Sequence, residues 1–160
     1  MFVTLFNLNE DFQTDISICI PTYKRVDSLI RTLSSLLNQD LKINIEILIS
    51  ANAPLNIKVI NFLNKNFSTN VNFKLRVYEQ SNNIGLYGNW NFLIDNASSE
   101  WITILNDDDI LSSKWLNYAN EFIGSSISSS KSLYAPSIEM FGPKKPESNS
   151  SDLNKLIKKI

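Results

Sequence analysis

Histidine is absent from this sequence, and cysteine occurs once, as Cys19. The absence of histidine excludes imidazole metal ligands and Ser-His-Asp triads. A single cysteine within an apolar run excludes a disulfide framework and favours a buried thiol in a reducing compartment. No apolar run is long enough to span a membrane, and the stretch from Met1 to Asp15 lacks the features of a signal peptide. We therefore expect a cytosolic protein, with contact at a membrane surface left open.

Excess charge of one sign is also lacking. The chain has 15 basic and 16 acidic residues and a formal charge of −1, so it carries no electrostatic footprint for nucleic acid. An anionic ligand must therefore be bound locally, by a metal ion or by a few suitably positioned side chains or backbone groups. The length of 160 residues, 43% of them hydrophobic, suits one domain with a substantial core.

The most informative stretch runs from Trp101 to Leu111, where a short apolar strand leads directly into Asp107, Asp108 and Asp109. Three adjacent carboxylates repel one another unless water or a cation lies among them. Mg²⁺ and Mn²⁺ prefer such oxygen ligands and often share them with phosphate oxygens. Two interpretations are open from this stretch alone: a metal-bound phosphate site, or a solvated acidic turn before the next helix.

Segments with strand character alternate with amphipathic helical segments along the chain. Strands are predicted at 16–20, 43–49, 73–78, 101–105 and 133–141, the last confined by Pro136 to a sheet edge or a bend. Helices are predicted over 29–37, over 60–67, from Gly85 or Leu86 onwards, and after Ser112 or Ser113. The third helix is expected to bury Trp90 and to leave Tyr87 and Asn89 on its opposite side.

This alternation predicts an α/β fold with a mostly parallel sheet flanked by helices. Ligands of such sheets bind beyond the carboxyl ends of the strands. Four polar loops fall at those ends, at 21–25, 50–54, 82–89 and 106–109. We therefore expect the four loops to form one shared site.

The sequence from Ile16 to Phe141 resembles the inverting glycosyltransferases of family 2, which have the GT-A fold. Ser-Ile-Cys-Ile-Pro-Thr-Tyr-Lys-Arg, from Ser17, is similar to the family's first strand and its Pro-Thr-Tyr-Asn-Arg loop, with Lys24 at the usual asparagine. Glu-Ile-Leu-Ile-Ser-Ala-Asn-Ala, from Glu46, is similar to the second strand and its loop. Asn-Ile-Gly, from Asn83, and Leu-Asn-Asp-Asp-Asp, from Leu105, are similar to the Asn-x-Gly segment and the metal-binding Asp-x-Asp region.

The resemblance implies a nucleoside-diphosphate sugar as donor, UDP-sugars being favoured, with Mg²⁺ or Mn²⁺ on the diphosphate. Such an ion stabilises the charge that grows on the departing diphosphate. Asp108 is then the first candidate for metal ligand, Asp109 assists it, and Asp107 faces the ribose or shares the ion. The implied donor-binding residues are Pro21, Thr22, Tyr23, Arg25, Asn52, Asn83, Asn89 and Asp107.

Individual roles follow from the chemistry of these side chains. The Tyr23 ring offers a stacking surface, Arg25 a charge for phosphate, and the Asn52 amide a partner for a pyrimidine edge. Structural roles stay open beside these functional ones. Thr22 could serve only as a cap, Arg25 could pair with Asp27, and the asparagines could only end helices or turns.

Two features depart from the family pattern. Ala51 stands where an aspartate is usual, which removes one acceptor for the base or ribose. Inverting transfer also needs a carboxylate that deprotonates the acceptor hydroxyl. From the expected fifth strand onwards the acidic residues are Glu139, Glu147 and Asp152, and none of them matches the family's base by context. No catalytic residue is therefore assigned.

The sequence thus predicts a metal-assisted glycosyltransferase, or its donor-binding half, acting on a saccharide or lipid-linked acceptor. The alternative is a truncated, non-catalytic module that binds nucleotide sugar and metal. A nucleotidyltransferase is disfavoured because the first strand ends in Pro-Thr-Tyr and not in a glycine-rich phosphate loop.

We expect one domain over 1–142 and a polar linker with a short basic amphipathic tail over 143–160. A second copy, a partner chain or a membrane surface could cover the sheet edge at the predicted fifth strand and the amphipathic tail.

Overall fold

The structure, a computed structural model, describes residues 1–40, 43–70, 73–125, 133–134 and 156–158. Its strands and helices, in chain order, are β1 (Phe2–Leu8), β2 (Ile16–Thr22), α1 (Val26–Leu37), β3 (Ile45–Ala51), α2 (Ile57–Phe67), β4 (Phe73–Gln80), α3 (Gly85–Asn96), β5 (Trp101–Ile104), α4 (Trp115–Ser125), β6 (Leu133–Tyr134) and β7 (Leu156–Lys158). The strands form one sheet in the order β1-β4-β3-β2-β5-β7-β6. The predicted α/β fold is confirmed.

The centre of the sheet is parallel because each of its strands returns through a helix. β2 pairs in parallel with β3 and with β5, and β3 pairs in parallel with β4. Every residue of β2 and of β3 is buried, as expected for strands covered on both faces. The carboxyl ends of these strands therefore meet at one edge of the sheet.

Alternation along the strands divides the core into two layers. On β2, Ile16, Ile18 and Ile20 face one layer, which also contains the apolar faces of α1, α2 and α4. Cys19 faces the other layer with Leu93 and Ala97 from α3 and its end. Each face of the sheet is thus covered by helices, and Cys19 is the buried thiol that the sequence predicts.

Strand β1 is absent from the sequence-based expectations. It pairs antiparallel with β4 at the edge of the sheet, and its register shifts between Thr4 and Phe6. All its residues are exposed or half-buried, so no clean alternation of apolar and polar residues marks it. A bulged edge strand lacks the burial pattern by which a strand is recognised in a sequence.

The other side of the sheet continues beyond β5. Leu156–Lys158, within the predicted tail, pairs antiparallel with β5, and Leu133–Tyr134 pairs with Leu156–Lys158. The rest of the strand predicted over 133–141, all of the predicted linker and the rest of the tail lie outside the described residues. None of the helices in the described part of the chain has the length and apolar character needed to cross a membrane.

A buried ion pair fixes the C-terminal end of α3 to the sheet. Glu46 on β3 is fully buried and accepts hydrogen bonds from Arg76 Nε at 2.7 Å and from the backbone N–H of Ser98 at 2.8 Å. Ser17 on β2 also donates to this carboxylate. Arg76 in turn donates to the backbone carbonyl of Asn96. These bonds satisfy the buried charge and hold one end of the helix whose other end borders the candidate site.

Candidate functional site

A cleft of about 440 Å³ opens at the carboxyl ends of β2, β3 and β5. The lining residues are Pro21, Thr22, Tyr23, Arg25, Asn52, Asn83, Gly85, Leu86, Asn89, Asn106, Asp107 and Asp108. All eight predicted donor-binding residues are among them, together with Asp108. The four loops expected to share one site therefore border the same cleft.

Asp107 is the buried acid of the cleft, with 6% of its surface exposed. Its Oδ2 accepts a 2.7 Å hydrogen bond from Thr22 Oγ1, and Arg25 lies 3.5 Å from its Oδ1. Burial raises the pKa of Asp107 above its ordinary value, although Thr22, Arg25 and the backbone of Tyr23 act in the opposite direction. The second carboxylate, Asp108, adds to the rise by repulsion. The fold thus holds a carboxylate where charge is costly, which is typical of functional sites.

Arg25 joins the two carboxylates of the cleft. Its Nη1 donates to Asp108 Oδ2 as well as contacting Asp107. The Arg25 and Asp108 side chains are 55% and 51% exposed, so solvent screens their contact, whereas Asp107 stays buried. Arg25 therefore pairs with the aspartates that follow β5 and not with Asp27, the partner considered from the sequence.

Asp109 differs from its two neighbours because it does not line the cleft. Its Oδ2 accepts a 3.1 Å hydrogen bond from Asn106 Nδ2, and its backbone carbonyl accepts a 2.8 Å bond from Thr32 on α1. These contacts close the turn after β5 and attach it to α1. The structure gives Asp109 this turn-forming position, and its predicted assistance to a metal ion stays a prediction.

Asparagines attach the N-terminal end of α3 to the sheet. Asn52 Nδ2 donates to the carbonyl of Gly85 at 3.0 Å, and its Oδ1 accepts from the N–H of Ile84 at 3.4 Å. Asn89 Nδ2 donates to the carbonyl of Ser50 at 2.9 Å. Both amides are buried, and their Nδ2 groups donate to the backbone in place of water, whereas Asn89 Oδ1 has no hydrogen-bond partner within the described residues. These contacts position the wall of the cleft, and the predicted contacts of the two amides with a donor stay predictions.

The exposed members of the same loop have different roles. Asn83 Oδ1 accepts from the N–H of Gly85 at 2.9 Å, which caps the turn where Gly85 takes a positive φ of 76°. Tyr87 is 75% exposed, as predicted for the outer side of α3. The prediction was wrong for Asn89, which is 2% exposed, while Trp90 is only half-buried. The backbone carbonyl of Ser50 gives Asn89 a hydrogen-bond partner, so a polar side chain takes the inner position.

Sequence reasoning missed three lining residues, Asn106, Gly85 and Leu86. Asn106 and Gly85 lie inside the motifs described in the sequence analysis, but only neighbouring residues of those motifs were predicted to bind the donor or the metal ion. Leu86, considered above only as a possible first residue of the third helix, is 56% exposed at the cleft. No sequence signal marks Thr32, whose hydroxyl holds the aspartate turn from within α1.

The carboxylates of the cleft are candidate oxygen ligands for a divalent cation. Within the described residues no group of three or more His, Cys, Asp or Glu side chains could hold a metal ion. Two carboxylates line the cleft, which matches the one or two that Mg²⁺ typically takes from a protein when phosphate oxygens and water supply the rest. The residues present therefore fit a cation that is bound together with a diphosphate.

The comparisons with known proteins were consistent in family and fold. Residues 17–126 match the model of Glycosyl transferase family 2. Solved structures with similar folds include TarS 1–349 from S. aureus, at a TM-score of 0.69 and 19% identity over 90% of this chain and 47% of that one. The same TarS segment in complex with UDP-GlcNAc matches at a TM-score of 0.67 and 19% identity, over 83% of this chain and 37% of that one.

A mannosyltransferase is also similar in fold. PcManGT from Pyrobaculum calidifontis, in complex with GDP-Man and Mn²⁺, matches at a TM-score of 0.59 and 16% identity, over 72% of this chain and 34% of that one. At these identities the likeness concerns the fold alone. The chain spans about half the length of the first of these structures and less of the other two. No curated protein sequence matches the chain.

Proposed function

Because the chain belongs to glycosyl transferase family 2, with the expected GT-A-like fold, we propose that its cleft binds the nucleoside-diphosphate sugar of a glycosyltransferase. The single observation that carries this proposal is the position of Asp107 and Asp108. They lie in the turn after β5, at the carboxyl edge of the sheet, and line the cleft with Arg25. Buried acid, exposed acid and guanidinium together suit a ligand that is anionic and arrives with a cation.

Different residues of the cleft are proposed to contact different parts of such a donor. Asp108 is the exposed carboxylate available to a cation, and Asp107 is held in one orientation by Thr22 for the ribose or the same ion. The half-exposed ring of Tyr23 offers a stacking surface for the base. A bound Mg²⁺ or Mn²⁺ would supply charge neutralisation at the diphosphate. The other proposed donor-binding residues of the cleft lining are Pro21, Asn52, Asn83 and Asn89.

We further propose sugar transfer with inversion onto a saccharide or lipid-linked acceptor, with UDP-sugars as the favoured donors. In such a reaction the cleft holds the diphosphate as it leaves, and proton removal from the acceptor requires another carboxylate. The second candidate function is donor binding without transfer. It is favoured by one observation: in the described part of the cleft lining, the only carboxylates are Asp107 and Asp108, and both contact Arg25.

Calorimetric titration with UDP, GDP and the corresponding sugar conjugates, with Mn²⁺ and then with a chelator, tests donor binding. Binding that requires the metal supports the proposal, and an absence of binding to every nucleotide with Mn²⁺ contradicts it. Detection of released UDP or GDP separates the two candidates. Turnover of the sugar nucleotide supports transfer or hydrolysis, whereas binding without turnover supports the non-catalytic module.

A further inference from the structure

We infer that Arg25 acts as an exchangeable counter-ion for the cleft: it pairs with Asp108 when no metal is bound, competes with a divalent cation for that carboxylate, and then turns to the diphosphate. This inference rests on the proposed function, because it assigns one residue's behaviour within the same site. Its basis is the pair of contacts from Arg25 Nη1 to Asp107 and Asp108.

The position of the guanidinium supports competition with a cation. Arg25 Nη1 contacts Asp108 Oδ2 and lies 3.5 Å from Asp107 Oδ1, so a positive group already stands between the two carboxylates of the cleft. A cation shared by the same two carboxylates would need that space and would be repelled by the guanidinium. Arg25 and a metal ion are therefore expected to compete for Asp108.

The environment of Arg25 allows this movement. More than half of its side chain is exposed, and its partner Asp108 is similarly accessible, so the pair is an exposed one that contributes little to stability. Asp107 is in a different situation because it is buried and keeps its 2.7 Å bond to Thr22 without Arg25. Release of the arginine thus leaves the buried acid oriented by Thr22.

The cleft offers Arg25 an anion after release. Arg25, Asp107 and Asp108 line the same cleft, so a diphosphate bound to a cation at Asp108 would lie within the region that the arginine side chain can cover. A guanidinium binds phosphate through paired donors. Arg25 is therefore expected to oppose the metal when it is alone and to favour the metal–nucleotide complex.

These two roles predict effects of opposite sign for Arg25→Gln. Binding of Mn²⁺ alone, followed through the electron paramagnetic resonance signal of the free ion, should tighten roughly two- to fivefold, as expected when one exposed ion pair no longer has to open. Binding of UDP at saturating Mn²⁺, followed by calorimetry, should weaken about fivefold or more, because a charged contact to phosphate is lost. A purely structural role for Arg25 would not move the two affinities in opposite directions.

Lys24→Gln is the matched control. It removes the same charge from the neighbouring residue, but Lys24 Nζ lies 5.1 Å from the centre of the Tyr23 ring and not beside the aspartates. Its effect on Mn²⁺ affinity should be smaller than that of Arg25→Gln, and melting curves by circular dichroism should show that both variants fold. Equal effects of the two variants on Mn²⁺ affinity would show that the loss of any nearby positive charge explains the change, and this would overturn the inference.

Failure of this inference can be distinguished from failure of the proposed function. If the unaltered protein binds no nucleotide with Mn²⁺, the proposed function fails. If it binds UDP with Mn²⁺ but Arg25→Gln weakens both affinities, or leaves that for Mn²⁺ alone unchanged, the exchange by Arg25 is refuted while donor binding stands.

Discussion

Thr22 Oγ1 donates a 2.7 Å hydrogen bond to Asp107 Oδ2, linking the end of β2 to the turn that follows β5. The two residues are 85 positions apart in the chain, and parallel pairing of β2 with β5 brings their loops together. The bond fixes the orientation of a buried carboxylate before any ligand arrives. Pre-orientation of this kind reduces the ordering that binding has to supply.

The buried charge of Asp107 should reduce the stability of the fold, so Asp107→Asn is predicted to raise the melting temperature at neutral pH. Burial is the main cause of the raised pKa of this carboxyl, and an amide removes the charge while it can still accept from Thr22. Differential scanning calorimetry at pH 7 measures the shift. The same variant should lose metal-dependent nucleotide binding, and a lower melting temperature would contradict the account.

The pH dependence of that stabilisation follows from the same raised pKa. Between the ordinary value of 3.8 and the raised value, the folded protein binds the proton more tightly than the unfolded chain does. The favourable contribution of Asp107 is therefore complete below pH 3.8 and is lost as pH rises through the folded-state pKa. The stability difference between Asp107→Asn and the unaltered protein should thus grow with rising pH across this window, as urea unfolding at several pH values would show.

Glu46→Gln should strongly destabilise the protein. The change removes the charge that balances Arg76, which is mostly buried, and a broken buried pair typically costs about 3–5 kcal/mol. Urea unfolding measures the loss, and Glu121→Gln on the exposed side of α4 is a control that should cost less than about 0.5 kcal/mol. A loss as small as that of the control would show that this ion pair does not anchor α3.

Asn52→Ala is predicted to cost about 1–3 kcal/mol and to loosen the start of α3, because it removes two hydrogen bonds of a buried amide, one to the Gly85 carbonyl and one from the Ile84 N–H. Asn83→Ala, at an exposed position with one capping bond, is the matched comparison and should cost less than about 1 kcal/mol. Hydrogen exchange at the first turn of α3 should rise more in Asn52→Ala. If both variants lose the same stability and show the same exchange, the buried Asn52 amide does not hold the start of α3 more firmly than the exposed Asn83 cap.

The sequence was informative where strands are fully buried and motifs border them. The apolar runs of β2 and β3 predicted a parallel sheet, and the topology then brought Thr22, Arg25, Asn52 and Asp107 to one edge. The edge strand β1 could not be predicted, because its residues are never fully buried. The burial of Asn89 was also hidden, since its partner is a backbone carbonyl at Ser50 that only the folded chain presents.

The different contacts of the three aspartates could likewise not be predicted from the sequence. Asp107, Asp108 and Asp109 are chemically identical, and consecutive residues differ only in the direction that the turn gives them. The structure makes Asp107 buried, Asp108 exposed beside Arg25, and Asp109 a partner of Asn106. Metal binding by Asp108 and Asp109 stays a prediction.

The most direct test of the central claim is calorimetric titration of UDP into the unaltered protein and into Asp108→Asn, both at saturating Mn²⁺. Asp11→Asn, an exposed change of equal charge away from the cleft, serves as control. The account predicts metal-dependent binding by the unaltered protein and the control, and a loss of at least about tenfold in Asp108→Asn, the cost of a lost charged ligand contact. Equal UDP affinity in all three proteins, or affinity that does not depend on Mn²⁺, would contradict it.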